Sequence, residues 1–171
     1  MSDVYEQEAG GRHGGALQIH PPLLAAALLI IGLVLHLIGA HGGRTFRLHQ
    51  FLGLLLVAAG TGLSGYAAAL FAARETTKNP YGKPAAFVIS PPYTVMRNPM
   101  YVGLATILFG FAVFFGSPAM LLAPILFGLI IDRIVIPREE ETMERLYGQQ
   151  YRDYKRRVGR WLPLPSVRRA F

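Results

Sequence analysis

The feature that most restricts this chain is a series of long uncharged apolar runs separated by short polar connections. The first, LLAAALLIIGLVLHLIGAH, follows Pro21 and Pro22 and ends at His41. About 20 such residues are needed for a helix to cross a bilayer. Proline is tolerated at its start because the first helical N–H groups have no intrahelical partner. A second run extends from about Leu48 to Ala73, a third from Met100 to Gly116, and a fourth from Pro118 to about Pro137. A backbone in lipid must satisfy its own hydrogen bonds, so spans of this kind are helical. The pattern predicts an all-α polytopic membrane protein with four transmembrane helices. Residues 1–20, polar and twice carrying GG, read as a flexible tail without signal-peptide character, and 21–171 as one membrane domain.

Composition agrees with this reading. Apolar residues form 52% of the chain and charged residues 16%, against roughly 25% charged in a soluble domain. The net charge of +7 is concentrated beside the apolar runs. Anionic headgroups and topology therefore account for it better than nucleic acid does. No obligate protein partner is indicated. Four spans would put both termini and the Arg74–Arg97 connection on one side. Apart from Arg44, Arg47 and Arg133, every Lys and Arg would lie there. The positive-inside rule then assigns both termini to the cytoplasm, with the protein integral to the inner (cytoplasmic) membrane.

Several polar residues stand out. The second run contains VAAGTGLSGYAAA, in which Gly60, Gly65 and the alanines permit close helix approach. Asp132 and Arg133 enter the fourth run before it ends, where they either shape a polar pocket or pair at the interface. The proline-rich stretch Arg74–Pro92 reads equally as a cover over a site or as a surface connection. From Arg138 to Arg160, Met143, Leu146, Tyr147, Tyr151 and Tyr154 gather on one helical face. This predicts an interfacial amphipathic helix broken near Gly148. Lys155, Arg156 and Arg157 fit attraction to an anionic leaflet, with phosphate recognition as the alternative.

Common catalytic constellations are missing. Cysteine is absent, and none of the five histidines follows His49. There is no HExxH pair, no serine elbow and no metal site. What remains is a cluster of Tyr93, Arg97, Asn98, Tyr101, Glu139, Glu140 and Tyr151 where the third and fourth runs emerge on one side. Arg97 suits a carboxylate. Glu139 or Glu140 suits an ammonium, a hydroxyl or a proton from an amine. The simpler alternative is that these charges tie helix ends together.

RNPMYVG, followed beyond the hairpin by EEETMERLYGQQYRDYKRRVGRWLP, resembles a two-part pattern of integral membrane enzymes. These are the isoprenylcysteine carboxyl methyltransferase and phospholipid methyltransferase families. The resemblance covers about residues 80–163. It implies methyl transfer from S-adenosylmethionine to a lipid or small hydrophobic acceptor at the cytoplasmic membrane face, with a phospholipid amine, a prenylcysteine carboxylate and another small hydrophobic acceptor as the alternatives. It also implies a cofactor site of Tyr93, Arg97, Asn98, Tyr101, Gly103, Glu139, Glu140 and Tyr151, with Arg97 and Glu140 as the catalytic pair. Tyr147, Gly148 and Tyr154 fall in the second block. Pro92 stands where the family often has Gly. Asn98 replaces the His of the prenylcysteine enzymes and so favours the broader branch. The competing expectation from another class is a noncatalytic membrane scaffold or lipid-binding protein.

Overall fold

A computed structural model describes residues 19–39, 48–75 and 90–163. Helix α1 covers Pro21–Gly39, α2 Leu48–Glu75 and α3 Pro99–Phe115. After a 3-10 turn at Pro118–Leu121 come α4 (Leu122–Ile130), a π-helical turn (Ile131–Val135) and α5 (Ile136–Tyr147). Helix α6 covers Gln149–Arg157. Most of the Arg74–Pro92 stretch, and so the expected cover, lies outside the described residues, as does the 1–18 part of the tail.

Among the described residues three helical stretches, not four, are long and apolar enough to cross a membrane: Pro21–Gly39, Leu48–Leu70 and the continuous Pro118–Tyr147. The expected third span, α3, has 17 residues. At 1.5 Å per residue it measures about 25 Å, short of a hydrocarbon core of about 30 Å. An odd number of crossings places the two ends of the chain on opposite sides. The expectation that both termini are cytoplasmic is thereby corrected, because it required an even number.

The most extensive helix contact joins α2 to α3, and glycine makes it possible. Gly53 and Gly60 on α2 face Gly110 and Gly103 on α3, so the two helices run antiparallel. A Cβ at Gly60 would lie 2.6 Å from Gly103 O, and one at Gly103 would lie 2.7 Å from Gly60 O. Backbone touches backbone here, which is the close approach that helix association in lipid requires. Gly65 has open space around it and takes no part in the contact. Leu108, Phe127, Ile131 and Ile136 are fully buried between α3 and the long final helix, with Ala25 of α1 against them. Outward, α1 and α2 expose Leu23, Ile30, Ile38, Phe51 and Leu55, side chains suited to lipid.

Two local features aim the site. Gly116 closes α3 in the left-handed region (φ 58°), where its N–H reaches the Ala112 and Val113 carbonyls, as helix C-termini commonly do. The π-turn precedes Pro137, which has no N–H to give to the helix ladder and would crowd the turn before it. Widening that turn accommodates the ring and resets the register of everything that follows. Beyond Gly148 (φ 53°) α6 packs against α5, burying Tyr151, Tyr154 and Val158 against Met143 and Tyr147. The tyrosine face expected of an interfacial helix is therefore turned into the protein.

Candidate functional site

The site is built where α3 begins, where α5 and α6 meet, and where the chain after α6 returns past residues 93–98. That return is held by backbone pairing. Met96 bridges to Gly159, and Arg97 N–H donates to Gly159 O at 2.8 Å. Asn98 occupies the N-cap of α3 without a side-chain cap bond. Its Nδ2 donates instead to Arg160 O at 3.1 Å. Tyr154 Oη donates to Tyr93 O at 2.6 Å, and Tyr93 Oη to Ala67 O of α2 at 3.2 Å. One network thus joins α2, residues 93–98 and the 154–160 stretch.

The start of α3 with the residues just before it, α5 and α6 enclose a cavity of about 450 Å³, within the size range of small-molecule sites. Tyr93, Arg97, Asn98, Tyr101, Glu139, Glu140 and Tyr151 all line it. Gly103 does not: it sits further along α3, pressed against Gly60 and Ser64 of α2. Tyr154, Met100, Arg138, Thr142 and Met143 also contribute to the lining. Of these, Met100 and Thr142 carried no distinguishing signal beyond lying inside the two motif blocks, and Arg138 none beyond preceding the second.

The two adjacent carboxylates have different surroundings. Glu140 is buried and gathers three cations: Arg97 at 2.7 Å, Arg160 at 3.1 Å and Lys155 at 3.2 Å. Both of its oxygens are occupied. Lys155 also meets Glu144 at 2.7 Å, and that bond first, with Glu140 after it, raises the ammonium's affinity for its proton. Glu139 has no ion pair among the described residues; its Oε1 accepts a 2.5 Å hydrogen bond from Tyr101 Oη.

Arg97 is nine-tenths buried. Its Nη2 bonds Glu140, and its Nη1 donates to the Lys155 and Val158 carbonyls at 2.9 and 3.0 Å. Its Nε is buried without a hydrogen-bond partner among the described residues, an uncommon condition that costs free energy unless a ligand relieves it. The phenols nearby are held neutral. Burial, then the Glu140 charge, pushes Tyr151 up to about 12. Burial, then Glu139, raises Tyr93, and burial, then Tyr151, raises Tyr154. These hydroxyls act as donors, not as bases, near neutrality.

Fold and site together define an all-α integral membrane protein with a polar, charge-bearing pocket at the ends of its helices. The phospholipid methyltransferase family matches residues 48–150, more than half of the chain, and the chain belongs to that family. A Haemophilus influenzae protein described only as "Uncharacterized protein" is 40% identical over 63 residues, 37% of this chain and all of that one. The methanethiol S-methyltransferase of Pseudomonas deceptionensis is 32% identical over 80 residues, 45% of this chain but 28% of that protein's length. No solved structure matches.

Proposed function

We propose that the protein transfers a methyl group from S-adenosylmethionine to a small hydrophobic or lipid acceptor at the membrane surface. The observation that carries the reading is the division of labour between adjacent glutamates in the cavity. Glu140 is consumed by three cations, while Glu139 has no ion pair among the described residues.

The lining fits the cofactor on its own chemistry. A ligand bearing one carboxylate and two positive centres is matched by Arg97, whose Nε has no hydrogen-bond partner among the described residues, and by Glu139, which has no ion pair among them; both residues line one cavity. Arg97 would hold the carboxylate and Glu139 a positive centre, with Tyr93 and Tyr151 supplying ring surface. When bound, S-adenosylmethionine supplies an electrophilic methyl group on a cationic sulfur. The protein's own contribution is to position the partners and to present fixed charges. Arg97 and Glu140, the expected catalytic pair, act in this reading as one buried unit that shapes the cavity. Glu139 is the group suited to accept a proton from a thiol or amine acceptor.

The similarity to a methanethiol S-methyltransferase makes a small thiol as worthwhile an acceptor to test as a phospholipid amine. The test is transfer of label from methyl-labelled S-adenosylmethionine into total membrane lipids and, separately, into short alkanethiols. We expect label in one arm and its loss in Glu139→Gln. A folded protein that neither binds the cofactor nor transfers label would instead be the noncatalytic lipid-binding scaffold.

A further inference from the structure

The cavity does not explain a second cluster behind it. Asp132 lies in the π-helical turn of the last membrane-crossing stretch. Its Oδ1 accepts hydrogen bonds from Trp161 Nε1 at 2.8 Å and Arg160 Nη1 at 3.0 Å. Arg160 then turns its other nitrogens to Glu140, Nη2 to Oε2 at 3.1 Å and Nε to Oε1 at 3.3 Å. Glu140 Oε1 holds Arg97, and Arg97 faces the cavity.

We propose that Asp132 and Arg160 are positioning residues that hold Arg97 in place through Glu140, and that Trp161 locks them. The inference rests on the functional reading above. Its chemistry is that of an alternating row: carboxylate, guanidinium, carboxylate, guanidinium. Each member fixes the next by charge-assisted bonds, which are short and directional. Neither Asp132 nor Arg160 is among the residues that line the cavity, so both act at one remove. The planar Arg160 guanidinium directs three N–H bonds across the two carboxylates in a fixed geometry, which the point charge of a lysine reproduces only in part.

Trp161 is the chain's single tryptophan, so its fluorescence reports on this row alone. We would titrate detergent-solubilised full-length protein with S-adenosylmethionine and follow labelled-cofactor binding and Trp161 emission together. The expected result is one midpoint for both signals. Arg160→Gln should weaken binding about tenfold, the scale of one charge-assisted hydrogen bond, and Arg160→Lys should restore part of it. In an Arg97→Lys background the Arg160→Gln loss should shrink, because the two residues act in series. Asp132→Asn should shift Trp161 emission and weaken binding in the same direction. Wild-type binding with silent Trp161 and equal affinity in the Arg160 variants overturns this inference alone. Equal Arg160→Gln losses in both Arg97 backgrounds do so too, since they mark a general structural effect. No binding to the folded wild type overturns the functional reading and this inference with it.

Discussion

Replacing Gly103 by alanine tests whether the site depends on glycine contact between α2 and α3 and not on a ligand passing over Gly103. The added methyl would stand 2.7 Å from the Gly60 carbonyl, the Ser64 Cβ and the Ser64 nitrogen. Ordinary van der Waals contact begins near 3.4 Å, so the helices must part by several tenths of an ångström. Two of the three obstructing atoms are backbone and cannot rotate away. Overpacking of this kind costs about 1–3 kcal/mol. Against it stands the intrinsic helix preference of alanine over glycine, about 0.8–1.0 kcal/mol. Gly65, on α2 with open space around it, supplies the control, because Gly65→Ala carries the preference without the clash. The two variants should therefore differ by about 1–3 kcal/mol, or about 2–12 °C in Tm at roughly 2–4 °C per kcal/mol. Thermal unfolding in one detergent measures that difference, with labelled-cofactor binding recorded on the same preparations. Equal stability of the two variants, together with a binding loss in Gly103→Ala alone, would refute the packing argument and return Gly103 to the ligand.

Glu139→Gln should reduce cofactor binding tenfold or more while shifting Tm little, because it removes a charge held in no ion pair among the described residues; equal losses of stability and binding would contradict this. Glu140→Gln should lower stability by about 3–5 kcal/mol, since it leaves the buried Arg97 without its counter-charge; a thermal shift near zero would argue against the hub. Tyr151 retains its proton up to about 12 in the folded protein, whereas an unfolded tyrosine loses its proton near 10. The folded state thus binds more protons between those values, and stability falls as pH rises through that window. Tyr151→Phe should make the fall shallower in pH-dependent unfolding; an unchanged slope would refute the assignment.

Much of the site is legible in the sequence because two independent patterns converge on it. Apolar runs locate the helix ends, and the polar residues confined to those ends have little room to scatter. Tyr93, Arg97, Asn98 and Tyr101 before one run, and Glu139, Glu140 and Tyr151 after the next, therefore meet in one cavity. The number of crossings is less accessible. The third apolar run sets the 17 residues of α3, a length that apolar composition alone does not separate from a full crossing, whereas the final helix runs unbroken through the charged Asp132, Arg133 and Arg138–Glu141. Hydropathy divides that continuous rod at its charges, although helix geometry is indifferent to them. Gly103 poses a related question, since its motif position does not say whether the neighbour that requires glycine is a ligand or the facing helix, where Gly60 and Ser64 lie against it.

The harder distinction is between Glu139 and Glu140. Successive residues point about 100° apart on an α-helix, so two adjacent glutamates must face different surroundings, yet nothing in their chemistry says which faces which. The answer depends on the π-turn at Ile131–Val135, which offsets α5 from the register that α4 would have imposed. It depends equally on α6 and the chain after it, because Lys155 and Arg160 supply two of the three cations around Glu140. Taken along α6 alone, Lys155 reads as a contact for an anionic leaflet. Three basic residues against one buried carboxylate would be unfavourable without further anions. Asp132 beside Arg160 and Glu144 beside Lys155 supply them, leaving Arg97 as the cation shared, among the described residues, between Glu140 and backbone carbonyls. Its Nε is the position where an additional carboxylate would complete the charge pattern. In the proposed cofactor site, the neutralisation of the neighbouring cations would leave Arg97 as the group that meets a ligand's own negative charge.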